Sequence, residues 1–234
     1  KARAKILAAA AKTTGVPEAE LELRSGHIVR TANGEALTSL AKLLRSLHFS
    51  DKAELVMTTH YYEPPSKHQD KSFKGDVSAA YAWATQVVEV EVDTETGVVR
   101  LIKVTGAHDV GRVLNRLGIE GQIEGGIVMG QGYAITEDLI VENGVVRNPG
   151  FRDYKLVTAP EIPEMDVRFI ETMDGEGPQG ATGVGAAPAI CIAAATANAI
   201  CNATGVRIRE LPFTPEKVYR ALHRASAAAP AAGD

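Results

Sequence analysis

Five glycines fall within residues 175–185, in the stretch Gly175-Glu-Gly-Pro-Gln-Gly-Ala-Thr-Gly-Val-Gly-Ala186. A run of small residues follows directly, Ala187-Pro-Ala-Ile-Cys-Ile-Ala-Ala-Ala-Thr-Ala-Asn-Ala-Ile200, with the composition of a buried helix. Glycine lets backbone approach backbone or ligand closely and permits positive φ. The start of a helix leaves N–H groups without intrahelical partners, and these favour a negative group in front of them. Loop and helix start together could cradle an anionic cofactor through main-chain amides. The same residues also suit a tight loop that does no more than lead into a buried helix.

Other side chains capable of chemistry are sparse. The two cysteines, Cys191 and Cys201, belong to no Cys-x-x-Cys or Cys/His cluster. Ten residues apart on one helix, their Cα atoms would lie about 15 Å apart, too far for a disulfide. They read as buried small hydrophobes in a reducing compartment. The six histidines are scattered. Glu89 and Glu91 alternate with Val88, Val90 and Val92, the pattern of a solvated strand face rather than an acid/base pair.

Around these residues the chain patterns into helices and hairpins. Residues 2–14 form a helix with Ile6, Leu7 and Ala10 on one face, ended by Gly15 before Pro17. Residues 21–23 and 27–30 make a hairpin around Ser25-Gly26. Residues 38–47 make an amphipathic helix capped by Thr38 or Ser39. A strand over 54–62 precedes a polar loop, 63–78, whose length suits a functional or interface segment. The clearest hairpin runs along 86–93, turns at Thr94-Glu-Thr-Gly97 and returns over 98–104. From Ile119 to Leu139 the apolar spacing is helical, with a stripe at Gly121, Gly125, Gly126, Gly130 and Gly132. Each glycine costs a helix about 1 kcal/mol, so the stripe implies close approach of another backbone or a cofactor. Asn143-Gly144 turns a second hairpin, 152–157 and 166–171 read as short strands, and a helix over 215–222 follows the alanine-rich one.

Composition bounds the class. The 234 residues are 45% hydrophobic and 23% charged, with a net charge of −4, which argues against nucleic acid or an anionic membrane as the main partner. Residues 186–200 are the nearest approach to a membrane span and are short for one. The fold class expected is α+β, antiparallel β-hairpins packed against helices, with residues 1–224 as one domain and 225–234 as a low-complexity tail. Lys1 opens inside a helical pattern without an initiator Met, which reads as a fragment or a processed subunit.

In order along the chain stand Val90-Glu-Val-Asp-Thr-Glu-Thr-Gly97, Asp109-Val-Gly-Arg112, Glu120-Gly-Gln-Ile-Glu-Gly-Gly126, Gly130-Gln-Gly-Tyr-Ala-Ile-Thr-Glu137, Tyr154-Lys-Leu-Val-Thr-Ala-Pro-Glu-Ile-Pro163 and Gly180-Ala-Thr-Gly-Val-Gly185. With the opening helix and hairpin, this succession resembles the C-terminal part of the molybdopterin-binding large subunit of the xanthine oxidase family of molybdenum hydroxylases. The resemblance covers most of the chain.

It implies a molybdopterin-binding domain, incomplete at its N-terminus, whose metal is held by the pterin dithiolene rather than by side chains. It implies cofactor contacts at Gln122, Gly121, Thr182, Gly183, Val184, Gly185 and Ala186. An amide such as Gln122 donates and accepts without adding charge beside an anion; as a residue on its own, Gln122 also suits a helix surface. The family's general base is a glutamate at the position of Ala186, which has no titratable group, so no catalytic residue is assigned here. Thr182 stands where lysine is common, Asn115-Arg116 where Asn-Pro is usual, and Glu176 lies too early in the loop to substitute. Upstream cofactor loops of the family are missing before Lys1. The resemblance therefore implies a partner chain or segment carrying a molybdopterin domain 1-like part, iron–sulfur and FAD-bearing flavin subunits, and a cytoplasmic hydroxylase acting on an N-heterocycle or aldehyde. A degenerate, non-catalytic module that stabilises a partner or binds no cofactor is the alternative. The isolated chain is expected to be inactive.

Overall fold

The computed structural model describes residues 1–50, 55–63 and 65–228, the last four as backbone alone. Contacts divide the chain into two compact units, Lys1–Glu63 and Pro64–Asp234, where the sequence reading drew one domain over 1–224. The division falls in the polar stretch 63–78.

In the first unit, helix α1 (Ala2–Thr14) ends at Gly15, whose φ of 72° is left-handed. A three-stranded antiparallel sheet follows in the order β1 (Leu21–Arg24), β2 (His27–Arg30) and β3 (Ala36–Ser39). Ser25 and Gly26 both take positive φ at the first turn, as a tight two-residue hairpin requires. Helix α2 (Leu40–His48) starts at Ser39, whose side chain accepts from the Lys42 N–H. The expected helix start at Thr38 is thus corrected: residues 36–39 pair with β2, and the cap sits at the strand's last residue. Ala10, Leu21, Ile28 and Leu43 form the core. The strand read over 54–62 is absent from the described residues 55–63, and Glu54 lies outside them.

The second unit is built on a three-stranded sheet, with β4 (Ala84–Val92), β5 (Val99–Asp109) and β8 (Glu164–Ile170) in the order β4-β5-β8. β4 and β5 form the predicted antiparallel hairpin, and Glu89 and Glu91 lie on its exposed face. A register shift between Glu89 and Val90 leaves Ile102 as an extra residue on β5. Such a bulge switches the phase of a strand, so Val99 and Leu101 face the core before it and Val104 and His108 after it. β8 joins β5 in parallel, a pairing the hairpin reading did not contain.

Helix α3 (Arg116–Gln131) continues into a π turn, Gly132–Thr136. The Asn143-Gly144 turn joins β6 (Val141–Glu142) and β7 (Val145–Val146). Residues 152–157, read as a strand, form turns and irregular backbone. Helix α4 (Ala187–Thr204) buries only Pro188, Ile192, Thr196 and Ile200, every fourth residue, while Ile190 is 77% exposed. With 18 residues and a mean hydropathy of 1.3, α4 is long and apolar enough to cross a membrane by those two measures. Here its buried stripe packs on β4 and α3. Cys191 and Cys201 on α4 are free and half-buried rather than buried. Helix α5 (Pro215–Ala228) runs beyond the expected end at 222, so residues 225–228 of the expected tail continue a helix. Tail residues 229–234 lie outside the described residues.

The core between sheet and helices consists of Val88, Leu101, Val104, Ile123, Ile127 and Ile192. His108 is buried beside it, with its Nε2 3.2 Å from the Gln86 amide nitrogen, which donates to the Pro188 carbonyl at 2.9 Å. Burial pushes the His108 imidazole below the ordinary histidine value. The folded state therefore favours the neutral ring, and an unfolded chain takes up the proton first as pH falls. Stability from this group is complete above about pH 6.5 and is lost as the medium acidifies below it. Urea midpoints are expected to fall from neutral pH toward about pH 5. His108→Asn should flatten that dependence; an equally steep fall in the variant would assign it to other groups.

Candidate functional site

The glycine loop is held by a set of hydrogen bonds ahead of α4. The Asp109 carboxylate accepts from the Gly111 N–H at 2.9 Å and from the Thr172 hydroxyl at 2.7 Å. Those two donors, Gly111 first, hold its carboxyl below the ordinary aspartate range. Gly111 takes φ 60°, and a Cβ there would run into the Gly180 carbonyl and the Thr182 N–H. This close approach lets the Arg112 N–H donate to the Gly180 carbonyl at 2.7 Å, while the Thr182 N–H donates to the Val110 carbonyl at 3.0 Å. The Thr182 hydroxyl reaches Asp174 at 3.3 Å.

Beyond that clamp the loop opens. The N–H groups of Gly183, Val184, Gly185 and Ala186 find no acceptor among the described residues. A Cβ built at Gly183 or Gly185 would meet nothing within 4 Å, and the same holds for Gly121 on α3. Val184 alone turns inward and packs on the main core. Ala186, at φ −95° and ψ 10°, leads into α4 and is exposed.

Gln122 crosses to this loop from α3, its Nε2 donating to the Gly185 carbonyl at 2.7 Å. Asn115 starts α3 by accepting from the Gly118 N–H at 3.0 Å. Arg116, at the first helical position, pairs with Glu120 and lies over the Phe169 ring. Between the two segments lies an open groove of about 480 Å³ lined by Arg112, Asn115, Gln122, Thr182, Val184 and Gly185, among others. No carboxylate is in its lining, and Arg112 supplies a cation at its wall.

The structure thus brings Gln122, Thr182, Val184 and Gly185 to one groove, with Gly121, Gly183 and Ala186 as their chain neighbours. Glu176 is not in its lining. The sequence reading quoted Asp109-Val-Gly-Arg112 as a motif without giving Asp109 or Arg112 a role, and it passed over the Asp174 side chain that also fixes the loop. The one local signal was an Asp two residues before Gly111, the spacing of a side chain that accepts from its own backbone. Among the described residues no three His, Cys, Asp or Glu side chains gather as metal ligands.

The family profile described as the molybdopterin cofactor-binding domain matches residues 1–163, a span that includes Gln122 and ends before the glycine loop. The xanthine dehydrogenase molybdenum-binding subunit of Escherichia coli O157:H7 is 34% identical over 226 residues, covering 94% of this chain and 28% of that protein. The aldehyde oxidoreductase of Desulfovibrio desulfuricans is similar in structure with a TM-score of 0.63 at 35% identity, covering 67% of this chain and 17% of that one. The CO dehydrogenase of Oligotropha carboxidovorans shares the fold with a TM-score of 0.79 at 22% identity, over 97% of this chain and 28% of that one. The chain therefore spans less than a third of the length of these relatives.

Proposed function

The chain belongs to the molybdopterin cofactor-binding domain family, and from that membership we propose that its groove at Gln122 and Gly185 forms one wall of a molybdopterin site in a xanthine dehydrogenase- or aldehyde oxidase-like hydroxylase. The observation that carries the reading is the row of four N–H groups without an acceptor among the described residues at Gly183–Ala186, in the loop ahead of α4, with Gln122 tied across to Gly185 at 2.7 Å. Successive main-chain N–H groups without acceptors in a glycine-rich loop can form an anion-binding concavity. The open space at Gly121, Gly183 and Gly185 gives a bulky ligand room against backbone. The absence of carboxylates from the lining, and Arg112 beside it, suit a phosphate or dithiolene.

When bound, the molybdenum centre supplies a two-electron oxidation that places water-derived oxygen on the substrate. Gln122 orients and hydrogen-bonds without adding charge. Gly183, Val184, Gly185 and Ala186 donate main-chain N–H groups, and Thr182 holds the loop in place. Ala186 holds no proton, so this chain contributes no base at that position. In this reading residues 1–224 act together as the C-terminal part of the domain, and a domain 1-like segment or chain completes the pocket. Electrons pass to iron–sulfur and flavin partners, the substrate is an N-heterocycle or an aldehyde, and the assembly is cytoplasmic.

A second reading, a non-catalytic module that stabilises a partner, is favoured by Ala186 and by Thr182 in place of the usual lysine. Cofactor content separates the two. Complex purified from its native host should carry molybdenum and pterin, and Gly183→Val should lower both by about tenfold or more while leaving the unfolding temperature of the cofactor-free chain unchanged. The variant's side chain enters space that the protein leaves open. A native complex free of molybdenum and pterin would leave only the second reading.

A further inference from the structure

Helix α4 begins without a cap of its own: Ala186 precedes it, and no side chain of that residue accepts from its first turn. A helix start held by nothing frays. The Gly183–Ala186 row is tied to that turn. The Ala187 N–H donates to the Val184 carbonyl at 3.3 Å, and the Ala189 N–H to the Ala186 carbonyl at 3.0 Å. Whatever fixes the first turn of α4 therefore fixes the row.

The anchor comes from β4. Gln86 Nε2 donates to the Pro188 carbonyl at 2.9 Å, between residues 102 apart in the chain. The same nitrogen lies 3.2 Å from His108 Nε2. A carbonyl only accepts, so the Pro188 end settles which way the amide points. An amide nitrogen carries two hydrogens and offers no lone pair, so the ring nitrogen accepts the second one and the neutral ring keeps its proton on Nδ1. Gln86 Oε1 is buried and has no partner among the described residues. Turning the amide over would set that oxygen against two acceptors. The orientation is thus imposed by Pro188 and His108, and it leaves the oxygen of Gln86 itself unmet. The sheet builds this arrangement locally. Gln86 pairs with Gly106 and Ala84 with His108, so Gln86 and His108 are diagonal neighbours on one face. A Cβ at Gly106 would stand 3.1 Å from His108 Nε2, and its absence lets the ring lean toward Gln86.

We propose that Gln86 is a positioning residue for the cofactor groove: from outside the groove's lining it anchors the first turn of α4 through the Pro188 carbonyl, with His108 as the acceptor that fixes the amide, and so holds the Gly183–Ala186 row in place. The inference rests on the reading above that this row meets molybdopterin. Gln86 touches neither cofactor nor substrate and acts only through α4.

Hydrogen exchange and cofactor content of the native complex test this. Gln86→Met keeps the length of the side chain and loses the donor. Amides 189–192 should exchange about tenfold or more faster than in the parent complex, and molybdenum and pterin should fall by about tenfold. Gln86→Asn, one methylene short of the carbonyl, should give the same two changes and serves where the Met variant does not fold. Phe213→Leu, in the separate cluster with Ile200 and Val218, controls for lost stability alone. It should lower the unfolding temperature and change neither readout. Parent-like exchange and content in a folded Gln86 variant would overturn the proposal, as would an equal loss of cofactor in Phe213→Leu. The parent complex keeps the two readings apart. A loaded parent whose Gln86 variants load equally well sinks the positioning role alone. Faster exchange at 189–192 in variants of a complex that never carries molybdenum sinks the cofactor reading and leaves the anchor standing.

Discussion

Ala186→Glu is expected to raise turnover of the assembled, molybdenum-loaded complex by about 10²–10⁴-fold, the usual contribution of a positioned proton acceptor. Ala186 is exposed, and its φ and ψ suit any side chain. A glutamate there would stand at the start of α4, where negative charge stabilises a helix by about 0.3–1 kcal/mol. The variant should therefore unfold at or slightly above the temperature of the parent chain. The gain in rate depends on the proton. Helix-start N–H groups favour the carboxylate, a neighbouring anionic cofactor favours the acid, and their opposition moves the group toward the pH at which a base works. An unchanged rate in a loaded complex would place the base elsewhere. A gain without any change in molybdenum content would show that position 186 acts on the reaction rather than on loading.

Position 186 also illustrates which parts of the molecule could be read without coordinates. The glycine loop and the helix behind it were legible because runs of glycine and of alanine have few other uses, whereas Gln122 was named only through the resemblance and by itself reads as a helix-surface residue. The turns at Ser25-Gly26, Thr94–Gly97 and Asn143-Gly144 were legible because turn chemistry is local. What failed depends on partners far along the chain. Residues 152–157 have strand-like composition but no strand beside them, and Tyr154 is instead tied to Glu137 through its hydroxyl. The parallel partnership of β5 with β8 joins segments separated by all of α3. The Asp109–Thr172 and Thr182–Asp174 bonds that fix the loop are long-range in the same way, so the loop could be recognised but its clamp could not. Residues 38 and 39 were absorbed into the following helix because a serine that caps a helix can also end a strand.

The glycine stripe on α3 separates into two functions once neighbours are known, and Gly130→Leu should cost the protein about 3 kcal/mol or more. A Cβ at Gly130 would stand 2.7 Å from the Ala189 carbonyl and 2.8 Å from the Ile192 side chain. At Gly126 it would stand 2.8 Å from Pro188. These glycines bring α3 against the first turns of α4, the turns that follow directly on Ala186. Their helix-propensity cost, about 1 kcal/mol each, is offset by that approach. Gly125 has nothing within 4 Å of a built Cβ, so Gly125→Ala should instead stabilise the chain by about 1 kcal/mol. Urea unfolding of the two variants side by side measures the contrast. Because the loop with the open N–H row leads directly into α4, Gly130→Leu should also release the Gln122–Gly185 bond. Equal, small effects at both positions would mean that the α3–α4 contact does not set the geometry of the groove.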